Sequence, residues 1–269
     1  MKTSAISDIL RVLIQKNPSN IRKTMVPPLK SIPVVATLLA INIAIFTSDT
    51  WLRTGLGNQL TLHSWLSPDY AASQLITYMF VHGGFTHLFF NMFALWMFGP
   101  YLERSWGTNR FLVFYLCCGV GAAVTQLWIS EFQFNDIYNT LVANGVTEAE
   151  LNTILETGRY YPEQVGVPEE TMNKFYSYYY SGLVGASGAI YGLLVAFAVM
   201  FPNVKLMLIF FPAPIPAKYF VPGLLCLDLA AGITGFSLFS VSIAHFAHLG
   251  GALIGFLFML AWRKQIQFF

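Results

Sequence analysis

Residues 181–200 read SGLVGASGAIYGLLVAFAVM, an apolar run long enough to cross a bilayer, with Gly182, Gly185, Gly188 and Gly192 crowded towards its start. One serine, Ser187, sits among those glycines. A helix in lipid gains little from glycine unless another backbone comes very close, and small residues four apart are how membrane helices achieve that. Gly188 and Gly192 supply the spacing, and Tyr191, four residues after Ser187, shares its face. A hydroxyl on such a face is a placed nucleophile when a base meets it. Without one it is a small polar packing residue.

The composition around this stretch sets the class. Of 269 residues, 55% are hydrophobic and 10% charged, with mean hydropathy +0.57. Soluble domains carry roughly a quarter charged residues. Several apolar segments of about 18 or more residues mark a polytopic membrane protein. A net charge of +2 gives no case for a nucleic-acid partner. Cys117, Cys118 and Cys226 have neither disulfide nor zinc spacing and are read as packing residues. The first apolar run of useful length begins only near Pro33, so no cleavable signal peptide is expected.

Six spans are predicted, making an all-α membrane domain over 33–262 between a basic segment, 1–32, and a short tail, 263–269. In the first segment Ile6, Ile9, Leu10, Leu13 and Ile14 follow helical spacing, with Arg11 and Gln15 opposite, before Pro27 and Pro28 break the chain. That face suits a membrane surface or packing against the first span. The spans are 33–48, one following Thr77 and running to Gly99, 111–129, the 181–200 stretch, one ending near Ile233 after a Pro-rich connection, and 241–262. Residues 130–180 hold eight of the thirteen acidic residues and only two basic ones. They read as a water-facing helical insertion between spans 3 and 4. Thr147 to Glu150 forms a capping box opening a helix that stops at Gly158, and Pro168 is expected at N1 of a second helix.

An even number of spans puts both termini on one side. With that side cytoplasmic, the inside segments carry twelve Lys and Arg and the outside segments three. The positive-inside rule then gives N-in and C-in, with the acidic insertion outside. A cell membrane, inner or plasma, is the expected location.

Four of five histidines fall in predicted spans: His82 and His87 in the second, His245 and His248 in the sixth. Ionisable residues there are costly and point to function. Spans 2, 4 and 6 run in the same direction, and His87, Asn91, Ser187 and His248 each come early in theirs. All four therefore share one layer in the outer half of the bilayer. On span 6, His248, Gly251, Ala252 and Gly255 lie on one face, so this helix can approach span 4 closely enough for imidazole to meet the Ser187 hydroxyl. The imidazole would take the proton as Ser187 attacks a carbonyl and return it to the leaving amine. His87, Asn91 and the Ser187 backbone N–H suit the oxyanion that forms. Tyr191 would pack under the imidazole. Periodicity does not choose between His245 and His248. His82 is expected to bond within the loop after span 1. Asp228 is expected to bond a hydroxyl or backbone group near the outer interface, with orientation of His248 as the alternative. The small residues around this layer suggest a preference for a small residue at the cleaved bond.

The run HGGFTHLFFN at 82–91, GASG at 185–188 and Ala247-His248 with Gly251, in that order on spans 2, 4 and 6, resemble the rhomboid family of intramembrane serine proteases. The resemblance covers about residues 33–262, apart from the insertion. It implies a six-helix core and a Ser–His dyad of Ser187 and His248 with no acid. His87 and Asn91 fall to the oxyanion site and His245 to a supporting role. It also implies cleavage of transmembrane substrates near the outer interface, without cofactor or metal. A catalytically inactive relative that binds membrane-protein clients is the alternative, although such relatives generally lack the Ser or His present here. A haem or metal protein using the four histidines leaves Ser187, Tyr191 and Asn91 unexplained. A soluble-type esterase would need glycine at 189, which is alanine.

Overall fold

The computed structural model describes residues 29–157, 159, 167–180, 182–208, 211–235 and 244–263. The amphipathic face from Ile6 to Ile14 lies outside the described residues, as do Gly158 and the tail beyond Arg263. In chain order the helices are α1 (Pro33–Trp51), short α2 (Leu56–Leu60) and α3 (Gln74–Thr77), α4 (Phe85–Trp106), α5 (Thr108–Ala143), α6 (Glu148–Thr157), α7 (Glu169–Tyr180) and α8 (Ser187–Met200). A hairpin, β1 (Lys205–Leu208) and β2 (Phe211–Pro216), then leads into α9 (Ala217–Thr234) and α10 (His245–Trp262). The Pro-rich connection is thus an antiparallel ribbon, with Lys205 opposite Pro216 and Leu206 opposite Ile215.

Among the described residues, four helices are long and apolar enough to cross a membrane: α1, α5, α9 and α10. The helix of the opening stretch, α8, is shorter at 14 residues, because the chain before Ser187 is not helical. It is apolar all round and buried along most of its length, as a central helix must be. Its closest neighbours are α10, α5 and α4. Most of the core is built here, from Leu95, Phe98, Phe114, Tyr115, Leu193 and Phe197 among others.

Helix α1 starts at Pro33, whose missing N–H is no loss in a first turn. The next two N–H groups, of Val34 and Val35, each donate to the Glu103 carboxylate at 2.9 Å. Glu103, on the last turn of α4, is fully buried and ties the start of α1 to the end of α4. Its carboxylate complements the positive helix end.

The helix that carries the third predicted span does not stop near 129. At 36 residues α5 is about 54 Å long, well beyond a hydrocarbon core of roughly 30 Å. Its last turns join α6 and α7 around a second cluster of Phe134, Leu141, Val146, Leu151, Ile154, Met172 and Phe175. The capping box is present: Thr147 N–H donates to Glu150 at 2.8 Å and Glu150 N–H donates back to Thr147 Oγ1 at 3.3 Å. The amide and hydroxyl of Thr147 hold the Glu150 carboxyl below the ordinary carboxylate range. Pro168 precedes α7 rather than occupying its first helical position, and its carbonyl accepts from Thr171 N–H. The cysteines are free, and only Cys118 is buried; Cys226 faces outward, so packing describes one of three.

Candidate active site

The chain reaches Ser187 in extended form. Leu183 pairs with Leu62 through two backbone hydrogen bonds, of 3.1 and 2.8 Å, and Gly185 N–H donates to the Tyr78 carbonyl at 3.0 Å. Tyr78 is fixed in turn by its hydroxyl, which donates to the Gly119 carbonyl of α5 at 2.8 Å. Gly185 has φ +114°, a conformation L side chains rarely adopt, and a Cβ there would lie 2.6 Å from His87 Nε2. The glycine therefore serves both the turn and the approach of the ring. Beyond it the helix opens at Ser187 itself. Nothing in the run 181–200 marks Ser187 as the start of its helix. In that position its N–H is among those without an intrahelical partner.

Helices α8 and α10 meet backbone to backbone. A Cβ added at Gly251 would fall on the Gly188 carbonyl, and one at Gly255 would lie 2.7 Å from the Gly192 Cα. On the other side of α8 a Cβ at Gly192 would lie 2.5 Å from Cys118 Sγ of α5. The small-residue spacing is used as expected. Across this seam His248 Nε2 stands 2.8 Å from Ser187 Oγ. The Tyr191 ring stacks on the His248 imidazole, with centroids 4.1 Å apart and planes 13° from parallel.

Asp228 has more partners than expected. It is buried on α9 and faces both histidines of α10, with Oδ1 2.5 Å from His245 Nδ1 and 3.4 Å from His248 Nδ1. The hydroxyl expected beside it is that of Tyr191, and two imidazoles join it. A carboxylate thus stands behind a Ser–His pair that the resemblance implied would have none. The three side chains bring ligand-type atoms within 4.8 Å of one another, a set able to hold a divalent metal ion.

The opposite wall comes from α4 and the turn before it. His87 accepts a 3.4 Å hydrogen bond at Nδ1 from Gly83 N–H, an arrangement that leaves the ring proton on Nε2, the atom turned towards Gly185. Asn91 is buried one turn further on, and its Nδ2 donates to the His87 carbonyl at 2.9 Å, which leaves one amide hydrogen uncommitted. His82 precedes α4 instead of lying on it. It does not bond within the loop, since neither buried ring nitrogen has a hydrogen-bond partner among the described residues; it packs edge-on against His87 at 5.0 Å. The folded chain thus joins Ser187, His248 and Tyr191 directly, sets His87 against the turn before Ser187, and keeps Asn91 on the His87 face.

Known proteins share this arrangement of sequence. A family model described as the Rhomboid domain matches residues 70–149 and 165–265, well over half of the chain. The mitochondrial Rhomboid protein 1 of Saccharomyces cerevisiae is 28% identical over 236 residues, covering 87% of this chain and 54% of its own length. The human mitochondrial Presenilin-associated rhomboid-like protein is 27% identical over 241 residues, covering 86% of this chain and 50% of its own. The chain spans about half the length of these mitochondrial relatives. Rhomboid protease AarA of Providencia stuartii is 26% identical over 268 residues, covering 92% of this chain and 79% of its own. A membrane protein of apolar helices, with the histidine-rich turn, the glycine-flanked serine and the final histidine helix all inside the matched segments, belongs to the rhomboid family.

Proposed function

We propose that this chain is an intramembrane serine endopeptidase that cuts transmembrane segments of membrane proteins near one membrane interface. The observation that carries the reading is the 2.8 Å contact between Ser187 Oγ and His248 Nε2, made across a seam of glycines. A hydroxyl is a weak nucleophile until a neighbouring base takes its proton. His248 is such a base when its Nδ1 carries the ring hydrogen and Nε2 the lone pair. Asp228 at 3.4 Å from Nδ1 favours that tautomer, and stacking on Tyr191 holds the ring plane.

In the reaction Ser187 attacks the scissile carbonyl as its proton passes to His248. The oxyanion meets the Ser187 N–H at the positive end of α8, His87 Nε2–H and the spare hydrogen of Asn91. His248 then protonates the leaving amine, and the acyl-enzyme is hydrolysed by a water deprotonated at the same nitrogen. In this reading α4 and α8 complete a six-crossing bundle with α1, α5, α9 and α10. Both termini lie on the side rich in Lys and Arg, and α6 and α7 on the other. The names of the relatives, two mitochondrial and one bacterial, widen the choice of membrane beyond the cell membrane expected from sequence.

Cleavage of a single-span substrate in liposomes tests the proposal, alongside labelling by a fluorophosphonate. Ser187→Ala and His248→Ala should each cut the rate by roughly 10⁴-fold or more, and Ser187→Ala should abolish labelling. Labelling of wild type without cleavage of any substrate would mark an active serine with the wrong substrate. Neither labelling nor cleavage would favour a client-binding relative.

A further inference from the structure

We propose that Asp228, His245 and His248 form an inhibitory binding site for a divalent transition-metal ion of the zinc type. The proposal rests on the protease reading above for its effect, though not for the binding itself. Two imidazoles and a carboxylate are a ligand set that suits zinc, whose tetrahedral bonds place ligand atoms about 3.3 Å apart. Here the three atoms already lie within 4.8 Å of one another, contributed by two helices. His245 and His248, three residues apart on α10, both turn Nδ1 towards the one carboxylate. The second carboxylate oxygen, Oδ2, is buried 3.4 Å from His248 Nδ1 and makes no hydrogen bond of good geometry among the described residues. A desolvated acceptor in that condition is an uncommon feature that a cation would relieve. The dyad has no use for His245, so its 2.5 Å approach to Asp228 calls for another account.

The consequence follows from proton counting. A neutral imidazole carries one ring hydrogen, and a metal bound at Nδ1 takes that nitrogen's lone pair. The hydrogen of His248 must then sit on Nε2, where it donates to Ser187 Oγ and cannot accept the serine's proton. No bond to carbon is made or broken, and each imidazole stays neutral as its hydrogen moves from Nδ1 to Nε2. An occupied site is a protease with its base turned off, and removal of the ion returns the lone pair to Nε2.

The full chain, purified in detergent with chelator and then freed of it, is dialysed against zinc chloride, and bound zinc is counted by mass spectrometry. Cleavage is measured in parallel with each variant referred to its own zinc-free rate. One zinc should bind per chain, also in Ser187→Ala, because the serine is not a ligand. Zinc should lower kcat with KM little changed, and chelator should restore it. His245→Asn and Asp228→Asn should each raise the half-inhibitory zinc concentration at least about tenfold, while His63→Ala, remote in sequence and partly exposed, should not move it. If one substitution prevents folding, judged by gel filtration, the other decides.

Absence of stoichiometric zinc, or equal inhibition of wild type and both substituted proteins, overturns the site. Zinc bound at full occupancy with the cleavage rate unchanged overturns the switch. A wild type that binds zinc through Asp228 and His245 yet cuts nothing upholds the site and overturns the protease reading.

Discussion

Two helices bring groups to His248, and they are packed in opposite ways. Along α8 nearly every residue from Gly188 to Phe197 is buried, and glycine meets glycine across to α10. Along α9 only Ala217, Val221 and Asp228 are buried, while Leu227, Leu229 and Ile233 face outward. The Ser187 hydroxyl is thus delivered on a helix with no spare space, and the carboxylate on one that leaves most of its surface exposed. Chemistry that needs a fixed 2.8 Å contact sits on the tight seam. The longer 3.4 Å contact comes from the looser side.

Four substitutions or conditions bear on that contrast, from the largest effect to the smallest. Gly251→Ala puts a methyl on the Gly188 carbonyl, and a backbone cannot step aside as a side chain can. Overpacking of this sort costs about 1–3 kcal/mol. It should push α10 away from α8, lowering the melting temperature and cutting the cleavage rate by roughly 100-fold, since an ångström of misplacement costs about that much in rate. A melting temperature equal to wild type would show the seam to be slack.

Tyr191→Ala removes the ring under the imidazole, and Tyr191→Phe keeps it. The first should lower kcat about tenfold at little cost in KM; the second should stay near wild type if stacking, not the hydroxyl, positions His248. On α9 the corresponding glycine experiment runs the other way. A Cβ at Gly223 meets nothing within 4 Å, so Gly223→Ala should raise stability by about 0.5–1 kcal/mol through helix propensity, readable as a higher melting temperature. Destabilisation there would mean that α9 is packed as tightly as α8.

The smallest effect lies in the insertion. The Glu150 carboxyl is held below the ordinary range by Thr147, so its contribution is present above the unfolded value. That contribution is lost as pH falls through the depressed folded value. The protection of α6 against hydrogen exchange, taken relative to the intrinsic rate at each pH, should therefore fall on acidification below the ordinary carboxylate range, and Glu150→Ala should remove that pH dependence at the helix start.

Much of this was legible in the chain. Gly188, Gly192, Gly251 and Gly255 announced the seam by spacing alone, Ser187 and Tyr191 shared their predicted face, and Thr147 with Glu150 announced a helix start. These signals are local, carried within one turn or two. What stayed hidden depends on how helices rotate against one another. A helix such as α9, apolar nearly all round, carries no phase in its sequence, so nothing indicated that Asp228 would turn to the histidines. The Glu103 cap on α1 joins residues 68 and 69 apart, beyond any pattern read along the chain. The helix was expected to begin before Ser187 because apolar residues and glycines run unbroken through 182–186. The brake there is Gly185, whose N–H is taken by the Tyr78 carbonyl and whose side-chain space is taken by His87, neither visible from 181–200 alone. The helix outruns span 3 for a simpler reason: polarity rises after 129, but helix propensity does not fall until Asn144 and Gly145.

That last feature turns α5 into a mast. Its sequence has no proline from Thr108 to Ala143, and its lower half carries Cys118 and Ala122, which abut the glycines of α8. From Ala122 to the tip is about 30 Å of rigid rod, with α6 and α7 rigged to the top. A load applied at the masthead travels down to the step beside the helix of Ser187 with no joint along the way.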